Sequence, residues 1–290
     1  MIKHIPFLVL LSTLCAATHG SSDAPGFTPS GGSEITLMSY NIRNGKAADG
    51  INNWEKRKHR VVAMIESVKP ELLGLQEVYP FQRDFLLENL SGFASVGIGR
   101  NGEDSESVSI LVSKSRFRIL DSGTFWLSDT PAEKSITWSW LAYLHRICTW
   151  VYLEDKKTEE TFYFFNTHYD HFSSRARALS SKLMLEKIAK RKTGRPFILG
   201  GDFNAQSDEL AITTLLNNSE PALADSFEYY ENAEQAVGTF NGFEKDNFER
   251  IDYLFTSKEL LLKRMDIHKQ KIEGYFPSDH FPISIKFSFL

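Results

Sequence analysis

The chain has 290 residues, 42% of them hydrophobic and 24% charged, with a formal net charge of −4. That is ordinary globular composition, long enough to bury a large core. The mild acidity speaks against a nucleic-acid coat protein, while leaving room for an enzyme that touches only a few phosphates.

Residues 1–20, "MIKHIPFLVLLSTLCAATHG", begin with a basic residue, continue through about a dozen apolar ones and end on small ones, the pattern of a removable secretory signal. The apolar part is too short to span a bilayer, so secretion or delivery to the periplasm is expected without a transmembrane segment. Cleavage after Ala17 fits a small-x-small site, with Gly20 a second candidate. Cys15 invites lipid attachment, but Leu14 before it is bulky for that signal, and anchoring ranks second. Loss of Lys3 with the signal moves the net charge from −4 to −5. Cys148 is then the only cysteine, excluding an internal disulfide, and it reads as a small buried hydrophobe. Residues 21–33, rich in Ser, Gly and Pro, form a flexible leader, and a single domain is expected over 34–290. No obligate protein partner is indicated.

Eight short segments rich in aliphatic, aromatic and β-branched residues read as strands: "EITLMSYN", "LLGLQEV", "SVSILVS", "CTWVYLE", "TFYFFNTH", "PFILGGDFN", "RIDYLFTS" and "FPISIKFSF". Helical spacing runs from Trp54 to Lys69, with Val61, Ile65 and Val68 on one face. It returns from Ser173 to Lys192, with Ala176, Leu179, Leu183 and Ile188. Too few crossover helices separate the later strands for a purely parallel sheet. The expected fold class is therefore α/β, with helices outside two mixed, largely antiparallel sheets.

Several of these core-forming strands deliver polar residues to an edge. Asn41 and Glu77 lie at the ends of the first two; His168 and Asp170 follow the aromatic "TFYFF"; Asp202 and Asn204 end "FILGGDFN"; Asp252 sits in "RIDYLF"; Asp279 and His280 precede the last. One such residue is explained by a turn or cap; the collected set of carboxylates, amides and imidazoles is not. Zinc would prefer short Cys/His spacings, which are missing, as are a serine-hydrolase elbow and a phosphate-binding P-loop. "GIGRNG" (97–102) has the wrong spacing for a dinucleotide loop and reads as a turn. Oxygen ligands with amides and histidines suit Mg²⁺ or Mn²⁺ holding phosphate oxygens, and the chemistry indicated is phosphoester hydrolysis.

The segments "SYN" (39–41), "LQEV" (75–78), "NTHYD" (166–170), "GGDFN" (200–204), "RIDYLF" (250–255) and "SDHFPI" (278–283) resemble, in order, the motifs of the endonuclease/exonuclease/phosphatase superfamily. The resemblance runs from about Ile35 to the C-terminus. It implies a four-layer α/β sandwich with the site at one edge of the sheets, in a secreted, bacterial-type member. It further implies Glu77 as principal metal ligand, with Asn41 beside it and Asp279 in or near the inner shell. Asp202 would orient or deprotonate water, Asn204 would hold that water or a phosphoryl oxygen, and Asp252 would pair with His280. His168 would donate to the phosphoryl group, and Asp170 would orient it or a substrate hydroxyl. Tyr169 stands where many relatives carry leucine, which would reshape the pocket. His145 and Arg146 are candidates to reach a phosphate or to pack.

The substrate is less legible. Residues 175–195 carry eight basic residues and one acidic, Glu186, on what reads as a solvated helix face. "NWEKRKHR" (53–60) is better placed to meet phosphates. The tryptophans of "TFWLSDTPAEKSITWSWLAY" (124–143) would stack on a base or sugar or fasten the loop to the core, with the core reading ahead. A phosphodiesterase or nuclease-type hydrolase comes first. A lipid, sugar or inositol phosphate hydrolase is the main alternative, and a non-catalytic exported binding protein is the rival of another class.

Overall fold

The computed structural model describes Met1 and residues 33–231, 237–244 and 249–290. Apart from Met1 and Ser33, the expected signal and leader lie outside the described residues. Twelve strands occur among them: β1 (Ile35–Asn41), β2 (Leu72–Val78), β3 (Phe93–Val96), β4 (Ser107–Ser113), β5 (Phe117–Trp126), β6 (Ile147–Asp155), β7 (Thr161–His168), β8 (Phe197–Asp202), β9 (Ala224–Asp225), β10 (Asp252–Thr256), β11 (Leu260–Ile267) and β12 (Ile283–Phe289). Four α-helices accompany them: α1 (Trp54–Val68), α2 (Pro80–Asn89), α3 (Ser174–Ala189) and α4 (Leu210–Leu216). All eight strands expected from sequence are present. β3, β5, β9 and β11, with α2 and α4, are additional, being short or, like β5, too exposed to alternate cleanly.

The strands form two six-stranded sheets, ordered β11-β12-β1-β2-β4-β3 and β5-β6-β7-β8-β10-β9. Each contains one parallel pair, β1–β2 in the first and β7–β8 in the second, and is otherwise antiparallel. The parallel pairs are those joined through a helix: α1 connects β1 to β2, and α3 connects β7 to β8. Asn53 caps α1 by accepting from the Lys56 N–H, and Ser173 caps α3 by accepting from Ala176.

Three buried apolar clusters separate four layers. Leu37, Leu72, Val151, Phe162, Phe164, Ile198 and Ile285 fill the space between the sheets. Val61, Ile65 and Leu86 of α1 and α2 pack on Leu73 and Leu75, while Met184, Leu185 and Ile212 of α3 and α4 pack on Phe197, Leu199 and Tyr253. The expected α/β sandwich is therefore the observed one. Leu179 and Leu183 are only half-buried, and α3 meets the sheet chiefly through Met184, Leu185 and Ile188, with Leu183 at the margin of that cluster.

A polar bolt crosses the otherwise apolar middle layer. Gln76 Nε2 donates to Asn166 Oδ1 at 2.7 Å, and Asn166 Nδ2 donates to the carbonyls of Leu75 and Ser109, each at 3.0 Å. Gly74 makes room for it, since a Cβ there would lie 2.8 Å from Asn166 Oδ1. Both bolt residues are fully buried, so their hydrogen bonds tie the sheets in one register. Gln76 immediately precedes Glu77, and Asn166 lies two residues before His168, so the bolt aligns two site residues.

Candidate active site

The site sits where the parallel strands end, the place where crossovers diverge and leave a crevice. Strand pairing brings its residues together. In β7–β8, His168 lies opposite Asp202; in β8–β10, Asp202 lies opposite Asp252; and Asp279 and His280 enter just ahead of β12, which pairs with β1. Gly201 permits the close approach of β8 to β7: its φ is +139°, and a Cβ there would lie 2.0 Å from the Thr167 carbonyl oxygen.

Glu77 occupies an irregularity in the β2–β4 ladder, with φ at +63°, a conformation disfavoured for a residue with a Cβ. The bulge turns its carboxylate into the cavity. There Asn41 Nδ2 donates to Oε1 at 3.1 Å and the Asn44 N–H to Oε2 at 2.7 Å. Burial disfavours the charged form, but the Asn41 hydrogen bond and the His280 charge outweigh it and hold Glu77 below the usual carboxylate range. Asp279 moves the other way: burial pushes it up, and the neighbouring Glu77 charge adds to the rise against the opposing pull of His280.

Asp202 Oδ2 is the hub. It accepts from Asn41 Nδ2 at 2.9 Å and lies 3.5 Å from His168 Nε2 and 3.8 Å from His280 Nε2. Burial, with Asp252 nearby, pushes its carboxyl up to about 7 despite His280. His280 Nδ1 is 2.9 Å from Asp252 Oδ2. Burial opposes an imidazolium, yet Asp252 and Asp202 together lift His280 to about 10, so the ring is a cation at neutral pH. Burial and the adjacent arginines Arg146 and Arg100 drive His168 well below its ordinary value, so it is neutral.

The cavity, about 460 Å³, is walled by Glu77, Arg146, His168, Asp202, Asn204, Asp279 and His280 among the expected residues. Arg43, Arg100, Glu106, His171 and Glu249 also line it and were not singled out from sequence. They come from turns, where no periodicity marks them; only their polarity beside the motifs was visible. Arg146 Nη2 meets His171 Nδ1 at 2.7 Å, which makes that nitrogen the acceptor and leaves His171 neutral. Arg146 Nε and His168 Nδ1 are buried without a hydrogen-bond partner among the described residues.

Several expected roles change. Asn41 is fully buried; its amide nitrogen donates to Glu77 and Asp202 and its oxygen accepts the Arg43 N–H, so in this structure it ties the two carboxylates together. Asp170 does not line the cavity: its Oδ1 accepts the Phe172 and Ser173 N–H groups and forms the turn into α3. Tyr169 leaves the pocket unchanged, buried edge-on against Phe203. His145 does not line the cavity and offers its backbone carbonyl to Arg100. Within "NWEKRKHR", Arg57 meets no phosphate; its guanidinium is buried among the carbonyls of Ile42, Arg43, Asn52 and Pro277, fastening the loop after β1. Trp138, in a short 3-10 turn between β5 and β6, is 72% exposed, against the expectation of a core residue.

The donor set fits a hard divalent cation. Glu77, half-buried, and Asp279, buried, set two carboxylates against each other, a repulsion that such an ion relieves. Asp202, Asp252 and His280 likewise bring three potential ligand atoms within 4.8 Å of one another. In that second group the imidazole is already protonated and engaged with Asp252, which favours the first.

Comparison with known proteins agrees with this geometry. A model of the Endonuclease/Exonuclease/phosphatase family matches residues 38–280. A crystal structure of a protein of that family from Bacteroides thetaiotaomicron aligns with a TM-score of 0.82 at 32% identity, covering 89% of this chain and 99% of that one. A mannosyl-6-phosphatase of the same organism aligns at 0.79 and 33% identity, over 88% of this chain and 100% of the other. An uncharacterised protein of Acanthamoeba polyphaga mimivirus is 24% identical over 265 residues, 82% of this chain and 93% of its own.

Proposed function

The chain belongs to the endonuclease/exonuclease/phosphatase family, and from that premise we propose that it is a Mg²⁺- or Mn²⁺-dependent hydrolase of small phosphorylated molecules, with sugar phosphates ahead of nucleic acid. The observation that carries the reading is a cavity in which three carboxylates, the half-buried Glu77 and the buried Asp202 and Asp279, face Arg146, His168 and His280.

Asp202 takes the proton of the attacking water, its raised pKa matching a base that works near neutral pH. Asn204 is fixed beside it, with φ at +47° and its N–H donating to Asp202 Oδ1 at 2.9 Å. The His280 cation, oriented by Asp252, stabilises the charge that grows on the phosphoryl oxygens. Arg146 and neutral His168, both on the cavity wall, hold those oxygens. Glu77 and Asp279 would hold the cation, which supplies charge neutralisation on the phosphate and the leaving oxygen.

Sugar phosphates rank first because of the 33% identity to a mannosyl-6-phosphatase and because four of the eight basic residues of 175–195 are engaged in ion pairs. Arg177 pairs with Glu209, Lys190 with Glu186, Lys192 with Asp121 and Arg195 with Glu160. The purified protein is expected to release phosphate from hexose or inositol phosphates, to stop when the divalent ion is chelated and to resume when Mg²⁺ or Mn²⁺ is restored. Turnover confined to plasmid DNA or oligonucleotide would move the assignment to a nuclease, and silence on every phosphoester with the fold intact would end it.

Export through residues 1–20 belongs to the same proposal, ahead of lipid attachment at Cys15. No described helix is long and apolar enough to cross a membrane. Intact-mass measurement of the protein from its host should give a chain beginning at Thr18 or Ser21; a chain that retains Met1 would refute cleavage.

A further inference from the structure

Glu106 has no part in the chemistry above, yet it lines the cavity. It directly precedes β4 and is only 5% exposed. Its Oε2 accepts from Arg100 Nη2 at 3.0 Å. Its Oε1 lies 3.9 Å from both Arg146 Nη1 and His168 Nδ1, beyond hydrogen-bond length. A carboxylate in a phosphate-binding cavity repels the phosphate itself, and being acceptor-only it calls for a donor on the substrate. Beside it Arg100 holds two acceptors, the Glu106 carboxylate and the His145 carbonyl, so both side chains are set in place before any ligand arrives.

A second feature begins at the same rim. His171 lines the cavity, and the Phe172 ring lies 3.9 Å from its ring. Trp138 and Tyr143 meet edge to face at 6.2 Å, next to Leu144 of the cavity wall. Trp138, Tyr143 and Phe172 are 72%, 61% and 69% exposed. The two loops that bear them are pinned together: Ser173 Oγ donates to the Trp140 carbonyl at 3.1 Å and Arg175 Nε to the Ser139 carbonyl at 2.8 Å. Phe172 thus adjoins the cavity-lining His171, Tyr143 adjoins the cavity-lining Leu144, and exposed aromatic rings on two loops pinned together offer a preformed apolar platform.

Resting on the hydrolase reading, the geometry points to a leaving-group subsite for a sugar ring, in which Glu106 accepts ring hydroxyls and the shelf of Trp138, Tyr143 and Phe172 covers the C–H face. A pyranose presents both surfaces at once, hydroxyl donors along its edge and an apolar face. A hydroxyl-free alkyl group uses neither.

The test compares mannose 6-phosphate and glucose 6-phosphate with ethyl phosphate, all esters of primary alcohols, in the full-length protein and in Trp138→Ala and Glu106→Gln. The wild type is expected to favour a hexose phosphate over ethyl phosphate in kcat/KM by about ten-fold or more. That ratio should fall about ten-fold in each variant, since a site built to bond hydroxyls discriminates by what it leaves unpaired. Trp138 lies at the surface, so its variant reports even if Glu106→Gln folds poorly. Equal turnover of hexose and ethyl phosphates by the wild type, or a ratio that both variants preserve, would overturn the subsite while sparing the hydrolase assignment. A wild type that hydrolyses no phosphoester overturns both.

Discussion

Replacing His280 by alanine is expected to lower kcat about 10³-fold while leaving the circular-dichroism spectrum of the wild type. That is a loss of about 4 kcal/mol of transition-state stabilisation. The size follows from burial: the imidazolium sits in a cavity shared with Asp252 and Asp202, where a charge acts with little screening. Removal also leaves Asp252 without its 2.9 Å partner and Asp202 without the nearby cation that holds its carboxyl down. The pH profile separates this role from a packing role. His280 has a pKa raised to about 10, so the cation is present from acid through neutral pH and is lost as pH climbs through about 10. Wild-type turnover should fall along that alkaline limb, and the His280→Ala profile should lack it. An unchanged alkaline limb in the variant would remove His280 from the reaction.

Replacing Glu77 by glutamine is expected to reduce turnover about 10²-fold or more and to weaken Mg²⁺ binding by a similar factor. The substitution keeps the shape and the left-handed backbone at this position but removes the charge. It also turns an amide N–H₂ toward Asn41 Nδ2 or the Asn44 N–H, donors that a carboxylate accepts from. A readout independent of activity is the thermal midpoint with and without Mg²⁺. The wild type should be stabilised by the ion, because an ion that binds only the folded chain shifts unfolding by mass action. The variant should lose that shift. Its metal-free midpoint should fall, because the surroundings that hold Glu77 below the usual carboxylate range stabilise the charge that is removed. A Mg²⁺-induced shift that survives intact would relocate the ion to the Asp202, Asp252 and His280 group.

Much of this was legible in the sequence, for identifiable reasons. A strand buried on both faces must be apolar, so the polar residues ending "TFYFFNTH" and "FILGGD" stand out, and all belong to one edge because both parallel pairs end there. The buried tether role of Asn41 was hidden, since a side chain that bonds two carboxylates looks no different in sequence from one that bonds a metal or substrate. Asp170 misled for a similar reason: an aspartate two residues before the N–H it accepts closes a turn, a local bond that competes with any role in the cavity. Arg57 lies on a helix whose other basic residues are surface-facing, and only the fold reveals that four carbonyls converge on it. Glu106 and Arg100 come from an irregular stretch and meet only through the chain reversal that precedes β4.

The position of β12 bears on how the molecule is made. Although it is the last strand, it lies inside the first sheet, hydrogen-bonded to β11 on one side and to β1 on the other. The pairing of Ile35 with Phe287 joins residues far apart in sequence, so during synthesis β1 waits for a neighbour that emerges much later. Until then one edge of β1 is an unpaired ladder and a template for wrong pairing. His280 and Asp279 lie just upstream of β12, so the same late event that seals the sheet also seats the cationic ring and one of the two carboxylates assigned to the ion. A nascent or clipped chain that lacks β12 and the residues just before it therefore carries neither a closed sheet nor the complete proposed site.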